Sequence, residues 1–240
     1  MKYGVGGVDT NETRISGREV FKYLKEEINI LYCIAKSSYE KNTDIDVLIS
    51  NAYSFFFHGL KTEYTTEEFN SYGNERVKFI NTLTEIKSLH INSNYKNLNK
   101  IINHKIGITN AYNLNFKIGE GHSSYLAHYY RHLYQTVKFI ANQPEDFISY
   151  EEKRKYLRIL RAQLSNDEQA MLFYNWKSNY GNAWENNENH FFTDYRMIHN
   201  LYNDLLIEDF DLEQIFNLSP KFYKCQKDKE DDVLFEFQKW

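Results

Sequence analysis

The chain has 240 residues, a formal net charge of −4 and a pI near 6.1, which excludes the broadly basic footprint of a general DNA- or RNA-coating protein. Ten Gly and two Pro against 20 Tyr and 17 Phe leave few breakers and much ring area for a core, favouring long helices over many short strands. The only two cysteines, Cys33 and Cys225, form no ligand-like pair and point to a reduced, cytoplasmic setting.

Residues 1–16 read as a flexible, Gly-rich arm. The opening MKYGVGGVDTNETRISGREV lacks the basic stretch and apolar run of a signal peptide. No window approaches the roughly 18 apolar residues of a spanning helix, so no membrane partner is expected. From Gly17 to Lys41, Val20, Phe21, Leu24, Ile28, Leu31 and Ala35 recur at helical spacing, with Lys and Glu outside. Asn42 to Asp44 supplies a turn and N-cap for a second helix, DIDVLISNAYSFFFHGL, which Gly59 can stop. Thr65 with Glu68 forms a capping box opening a third helical region, interrupted near Gly73. A short helix over Leu98 to His104 and an irregular loop follow.

The central helix is expected from His122 to Ala141, ended by Asn142 to Pro144. Two further capping boxes, Ser149 with Glu152 and Ser165 with Glu168, open the next helices, with Gly181 a stop. A last long helix is expected over Phe191 to Leu206, with Tyr195, Ile198, Leu201, Tyr202 and Leu205 on one stripe. A short helix, DLEQIF, and the charged run KDKEDD, read as solvated surface, close the chain. The expected fold is all-α: one helical domain over residues 17–218, a bundle of about six to eight helices, with a charged tail over 219–240 and a short extended segment near its end.

On a wheel of about 100° per residue, Leu126, Tyr129, Tyr130, Leu133, Val137 and Ile140 form the core stripe of the central helix. Ser124, His128, Arg131, His132, Gln135 and Lys138 fall opposite. His128, Arg131 and His132 lie one turn apart, so imidazole and guanidinium can share a ligand. Together such groups move protons and stabilise developing negative charge, the requirements of phosphodiester chemistry or anion binding. A polar outer face is also what any amphipathic helix shows water. The His128/His132 spacing suits a helical metal pair, but no acidic residue completes it and Arg131 disfavours a cation. No metal or other cofactor is expected.

In the following helix Tyr156, Leu157, Leu160 and Leu164 read as the buried stripe, with Arg154, Arg158 and Arg161 toward the other side. The candidate catalytic set is therefore His128, Arg131, His132 and Arg161, with His122, Gln135, Lys138 and Arg158 as candidate substrate contacts. Ser165, Glu168 and Asn175 read as a structural motif, S-x-x-E being explained by capping. Gly121 allows either close backbone approach or a turn. Arg196 and His199, one turn apart on the last helix, are a further polar pair.

The stretch GHSSYLAHYYRHLYQTVKFI, followed by YLRILRAQLSNDEQAMLFYN, resembles the signature of the phage abortive infection (AbiC-like) family, and GREVFKYLKEE and NAYSFFFHGL resemble its earlier blocks. The resemblance covers roughly residues 17 to 200. The chain departs from the family in lacking its hydrophobic, membrane-like leading segments and the Phe-rich block before GREVF. The resemblance implies bacterial antiphage defence, in which infection arrests or kills the host cell, with a toxin-like effector and a phage-encoded trigger. Many abortive-infection proteins resemble helical HEPN ribonucleases, whose motif separates an Arg and a His by four to six residues. Arg131 next to His132, and Arg196 before His199, do not have that spacing. Two readings stay open: a metal-independent ribonuclease or RNA-binding toxin using the His/Arg face, and a non-enzymatic sensor that binds a phage protein or partner effector. A homodimer is compatible with either.

Overall fold

The computed structural model describes residues 2–5, 13–61, 63–92, 118–218 and 233–239. Among the described residues the chain is all-α apart from two short strands, β1 (Lys2–Val5) and β2 (Thr13–Ser16), paired antiparallel with Lys2 opposite Ser16. These lie in the stretch read from the sequence as an arm. The chain divides into two compact units, residues 1–126 and 127–240.

In the first unit, α1 (Glu19–Ser38) buries Leu24, Ile28, Leu31 and Ala35 as its spacing predicts. Asp44 caps α2 (Ile45–His58) by accepting the Asp46 N–H, and Gly59 ends it at φ 80°. That left-handed backbone is open to glycine at no steric cost. Leu48, Ile49, Ala52, Tyr53 and Phe56 face inward from α2. The Thr65/Glu68 capping box opens α3 (Thr66–Ser71), and the chain restarts after Gly73 as α4 (Asn74–Asn92). Phe79, Ile80, Leu83 and Ile86 of α4 are buried, with Phe79 edge-on to Phe55 at 5.2 Å. Each fully buried Leu, Ile or Phe contributes about 1.5–3 kcal/mol. The helix expected at Leu98 to His104 lies outside the described residues.

The central helix, α5 (Ser123–Ala141), starts and stops within a residue of its sequence-expected limits. In the second unit its Tyr130, Leu133 and Val137 are buried. The turn after it is held by the buried Lys153, whose ammonium donates to the Gln143 carbonyl. Ser149 and Glu152 box the start of α6 (Tyr150–Arg161). Ser165 and Glu168 box the start of α7 (Asn166–Lys177), where every residue from Glu168 to Asn175 is buried. A helix buried all round is a core element, and α7 serves as one. Trp176, Trp184, Phe192 and Phe216 pack ring on ring beside it.

Two sequence expectations are corrected. Residues 191–206 form no long helix; they run as turns to a 3-10 turn at Asn203–Leu205. The Glu185 carboxylate accepts the Phe192 and Thr193 N–H groups at 2.8 and 3.0 Å, fixing a turn where the helix was expected to start. Arg196 then adopts φ 60°, which a helix cannot contain. On α6, Tyr156 is 51% exposed rather than core. The buried line there runs through Lys153 and Leu157. Near the C-terminus, Glu236–Lys239 form a 3-10 turn, and Leu234 and Phe235 are buried. The KDKEDD run lies outside the described residues. The short helix expected at DLEQIF is present as α8 (Leu212–Ile215), capped by Asp211.

Candidate functional site

The outward face of α5 carries His128, Arg131, His132 and Gln135, all exposed. The helical spacing that placed them on one face in the sequence does so in the structure. Among the described residues the side chains of His128, Arg131 and His132 make no hydrogen bond, ion pair or ring contact. Lys138, one turn beyond Tyr134, is half-buried with its ammonium 5.7 Å from that ring's centroid. Within one turn, none committed elsewhere, two imidazoles can take up and release protons while the guanidinium holds an anion.

Arg158 is exposed on α6. Arg161 is half-buried, and its Nη1 donates to the Arg196 carbonyl at 3.0 Å, tying the end of α6 to the turn at Arg196. The capping reading of Ser165 and Glu168 is met in both directions: Glu168 N–H donates to Ser165 Oγ, and Ser165 N–H donates to Glu168 Oε2 at 2.7 Å. Glu168 does a second job that spacing did not reveal. Its Oε1 accepts the Tyr129 hydroxyl at 3.0 Å, linking α7 to α5. Asn175 is buried, and its carbonyl accepts the Gly181 N–H at 2.8 Å. A Cβ at Gly181 would stand 2.1 Å from Asn175 Oδ1, so the buried Asn175 amide would have to shift to admit one.

His122 is 7% exposed, and its Nε2 lies 2.7 Å from Oε2 of Glu27, which is fully buried on α1. The other oxygen of Glu27 accepts the Gly119 N–H at 3.0 Å. The Phe56 ring packs against the imidazole at 4.8 Å. Gly121 resolves as a close-approach glycine: at φ 84°, an added Cβ would stand 2.7 Å from the His58 carbonyl carbon. Glu27 escaped notice in the sequence, yet it sits three residues after Leu24 and four before Leu31. An acid on an apolar stripe is the signal that could have found it.

Arg196 and His199 are buried and hold the C-terminal segment of the second unit. Arg196 Nε donates to the Val233 carbonyl at 3.2 Å, His199 Nδ1 lies 2.8 Å from the Leu234 carbonyl, and the Glu236 N–H donates to His199. Arg196 Nε and His199 Nδ1 are thus engaged with backbone carbonyls. A cavity of about 660 Å³ in this unit is lined by Asn200, Tyr202, Asp204, Glu213, Glu236 and Phe237, among others. Among the described residues no group of three or more His, Cys, Asp or Glu is placed to hold a metal ion. No described helix is long and apolar enough to cross a membrane.

No curated protein and no solved structure matches the chain. A family model does match, over residues 121–206, which takes in α5, α6, α7 and the turns that follow. The upstream blocks GREVFKYLKEE and NAYSFFFHGL lie outside that match. Residues 121–206, which include the central stretch that carried the resemblance in the sequence, are similar to the family described as "putative phage abortive infection protein".

Proposed function

We propose that the chain is an abortive-infection effector that acts on RNA through the outward face of α5. The observation that carries this reading is the set of three uncommitted exposed side chains, His128, Arg131 and His132, within one turn of a helix inside the family match. One imidazole removes the proton from a ribose 2′-hydroxyl while that oxygen bonds to phosphorus. The other protonates the departing 5′-oxygen as its bond to phosphorus breaks, leaving a cyclic phosphate and a free hydroxyl. Arg131, with Arg161, offsets the charge that builds on the phosphoryl oxygens. Such a division of labour needs no metal. In the cell, a phage-encoded trigger would release the activity, and host arrest would follow.

Purified protein incubated with total cellular RNA tests the reading. Cleavage by the wild type that is abolished in His128→Ala and Arg131→Ala is expected. No cleavage by a folded wild type that still protects cells against phage, or equal cleavage by the variants, overturns it.

One observation favours a second reading, a non-enzymatic interaction protein. Phe139, Phe147, Tyr156 and Ile159 are 51 to 73% exposed on α5, α6 and the turn between them. Large exposed apolar side chains concentrated on neighbouring stretches of chain are what a protein partner buries. Protection lost in Phe139→Ser with RNA cleavage absent throughout would favour that reading.

A further inference from the structure

Arg76 stands in the first turn of α4 without a counter-ion. Among the described residues it forms no ion pair. Its Nη1 donates to Asn51 Oδ1 on α2 at 2.7 Å. Its Nε is buried and has no hydrogen-bond partner. The guanidinium carbon lies 4.9 Å from the Tyr72 ring centroid and 5.5 Å from that of Phe55. Two rings and an amide therefore hold a cation in place while leaving its charge uncompensated. An unsatisfied buried donor is costly and calls for an explanation, a bound water or ion among them.

The surroundings supply the rest of a site. Tyr39, Tyr64 and Tyr72 are all half-buried, with Tyr64 6.5 Å from Tyr72 and 5.4 Å from Phe69. Burial pushes the Tyr39 and Tyr64 hydroxyls up from their ordinary value, and the Arg76 charge acts on both in the opposite direction. Lys61, exposed, adds a second cation 5.8 Å from the Tyr64 ring centroid, although it is bonded to Glu68.

We propose that Arg76 anchors a binding site for a nucleoside phosphate, its guanidinium taking the phosphate and the rings of Tyr64 and Tyr72 receiving the base. Arginine's planar fork fits phosphate bidentately. Aromatic faces next to a cation are the sequence-tolerant way proteins hold bases. A carboxylate ligand would satisfy the guanidinium equally, but it gives the flanking rings no flat partner. No part of this site belongs to the α5 face, and the two stand or fall separately.

Calorimetric titration of the full chain with AMP, ATP, adenosine, inorganic phosphate and an oligo-glutamate peptide tests the site. AMP or ATP is expected to bind, with adenosine weaker by about tenfold or more. Arg76→Gln should lose about tenfold or more in nucleotide affinity, and its melting temperature, read alongside, reports separately the loss of the Asn51 bond and the ring contacts. Tyr64→Leu keeps the guanidinium and should weaken nucleotide binding while leaving any inorganic phosphate binding unchanged, which covers an Arg76 variant that fails to fold. Absence of nucleotide binding to the wild type, or unchanged binding in either variant, overturns the assignment. Binding of the glutamate peptide without nucleotide binding also overturns it, in favour of an acidic protein partner.

Discussion

Glu27 Oε2 and His122 Nε2 stand 2.7 Å apart in the first unit, on an acid with no exposed surface and a histidine with very little. The pair joins α1 to the residue just before α5, at one edge of the family-matched stretch. A fully buried carboxylate persists only if its oxygens are bonded, and here His122 and the Gly119 N–H supply those bonds. Removing one partner leaves the other a bond short inside the core. His122→Ala is therefore expected to cost about 3–5 kcal/mol. Urea unfolding of His122→Ala, Glu27→Gln and the double variant measures this, and strongly non-additive losses are expected. Independent losses below about 1 kcal/mol each would show that the contact carries little.

The same corner depends on backbone proximity, and two glycines separate that effect from φ alone. Gly121 and Gly17 both have left-handed backbones, at φ 84° and 73°. A Cβ at Gly121 meets the His58 backbone at 2.7 Å, whereas one at Gly17 meets nothing within 4 Å. Gly17→Ala should cost about 1–2 kcal/mol from conformation alone. Gly121→Ala adds a backbone clash that cannot relax by rotating a side chain, and its total should exceed about 3 kcal/mol. Thermal unfolding of the two variants checks the difference; equal losses would mean that the approach of 121 to 58 is not a tight constraint.

What could be read in the sequence follows from how local each interaction is. Thr65 with Glu68, Ser149 with Glu152 and Ser165 with Glu168 all form the boxes their spacing promised, because both partners lie within one turn of chain. The α5 face was legible for the same reason: 3.6-residue periodicity alone puts His128, Arg131 and His132 together. The turns at 191–200 were not legible, since Glu185 captures the Phe192 and Thr193 N–H groups through a side chain that no periodicity represents. Apolar residues there do recur at helical spacing and several are buried, but they serve a turn packed on rings. Tyr156 was misplaced because it lies at the edge of the stripe, about 100° from the buried Leu157, and the long Lys153 one turn before Leu157 is buried in line with it. The Glu27 partnership spans 95 positions, and only its odd place on a stripe hinted at it.

The boxes also carry a pH dependence whose sign is fixed by the carboxylates. Bonds from the Ser149 hydroxyl and N–H hold the Glu152 carboxyl below its ordinary value of 4.5, and Lys61 with the Thr65 N–H does the same for Glu68. A carboxyl lowered on folding adds stability that is present above its unfolded value and lost as pH falls through the folded one. Melting temperature should therefore be insensitive to these groups near neutrality and decline as pH drops below about 4.5. Glu152→Gln keeps an acceptor for the cap but cannot titrate, so its curve should fall less steeply in that acidic window. Parallel curves for variant and wild type would remove Glu152 from the acid response.

Stability also discriminates between the two halves of the proposed catalytic set. His128, Arg131 and His132 are exposed and make no side-chain contacts among the described residues, so their alanine variants should unfold within about 0.5 kcal/mol of wild type. Arg161 is half-buried and its guanidinium bonds to the Arg196 carbonyl, at a residue held at φ 60° and packed inside the second unit. Loss of that charged donor leaves the carbonyl to find another partner, and Arg161→Ala should cost about 1.5–3 kcal/mol. Denaturant unfolding of the four variants, set beside phage plating efficiency in cells expressing them, makes the comparison. If the α5 face is the working surface, His128→Ala and Arg131→Ala lose protection with their unfolding curves unchanged. In Arg161→Ala, lysine at the same position restores the charged donor, so recovery of stability without recovery of protection would give Arg161 a role beyond tying α6 to the Arg196 turn. If all four variants protect as well as wild type, the outward face of α5 is ordinary solvated surface and the exposed Phe139, Phe147, Tyr156 and Ile159 become the residues to pursue.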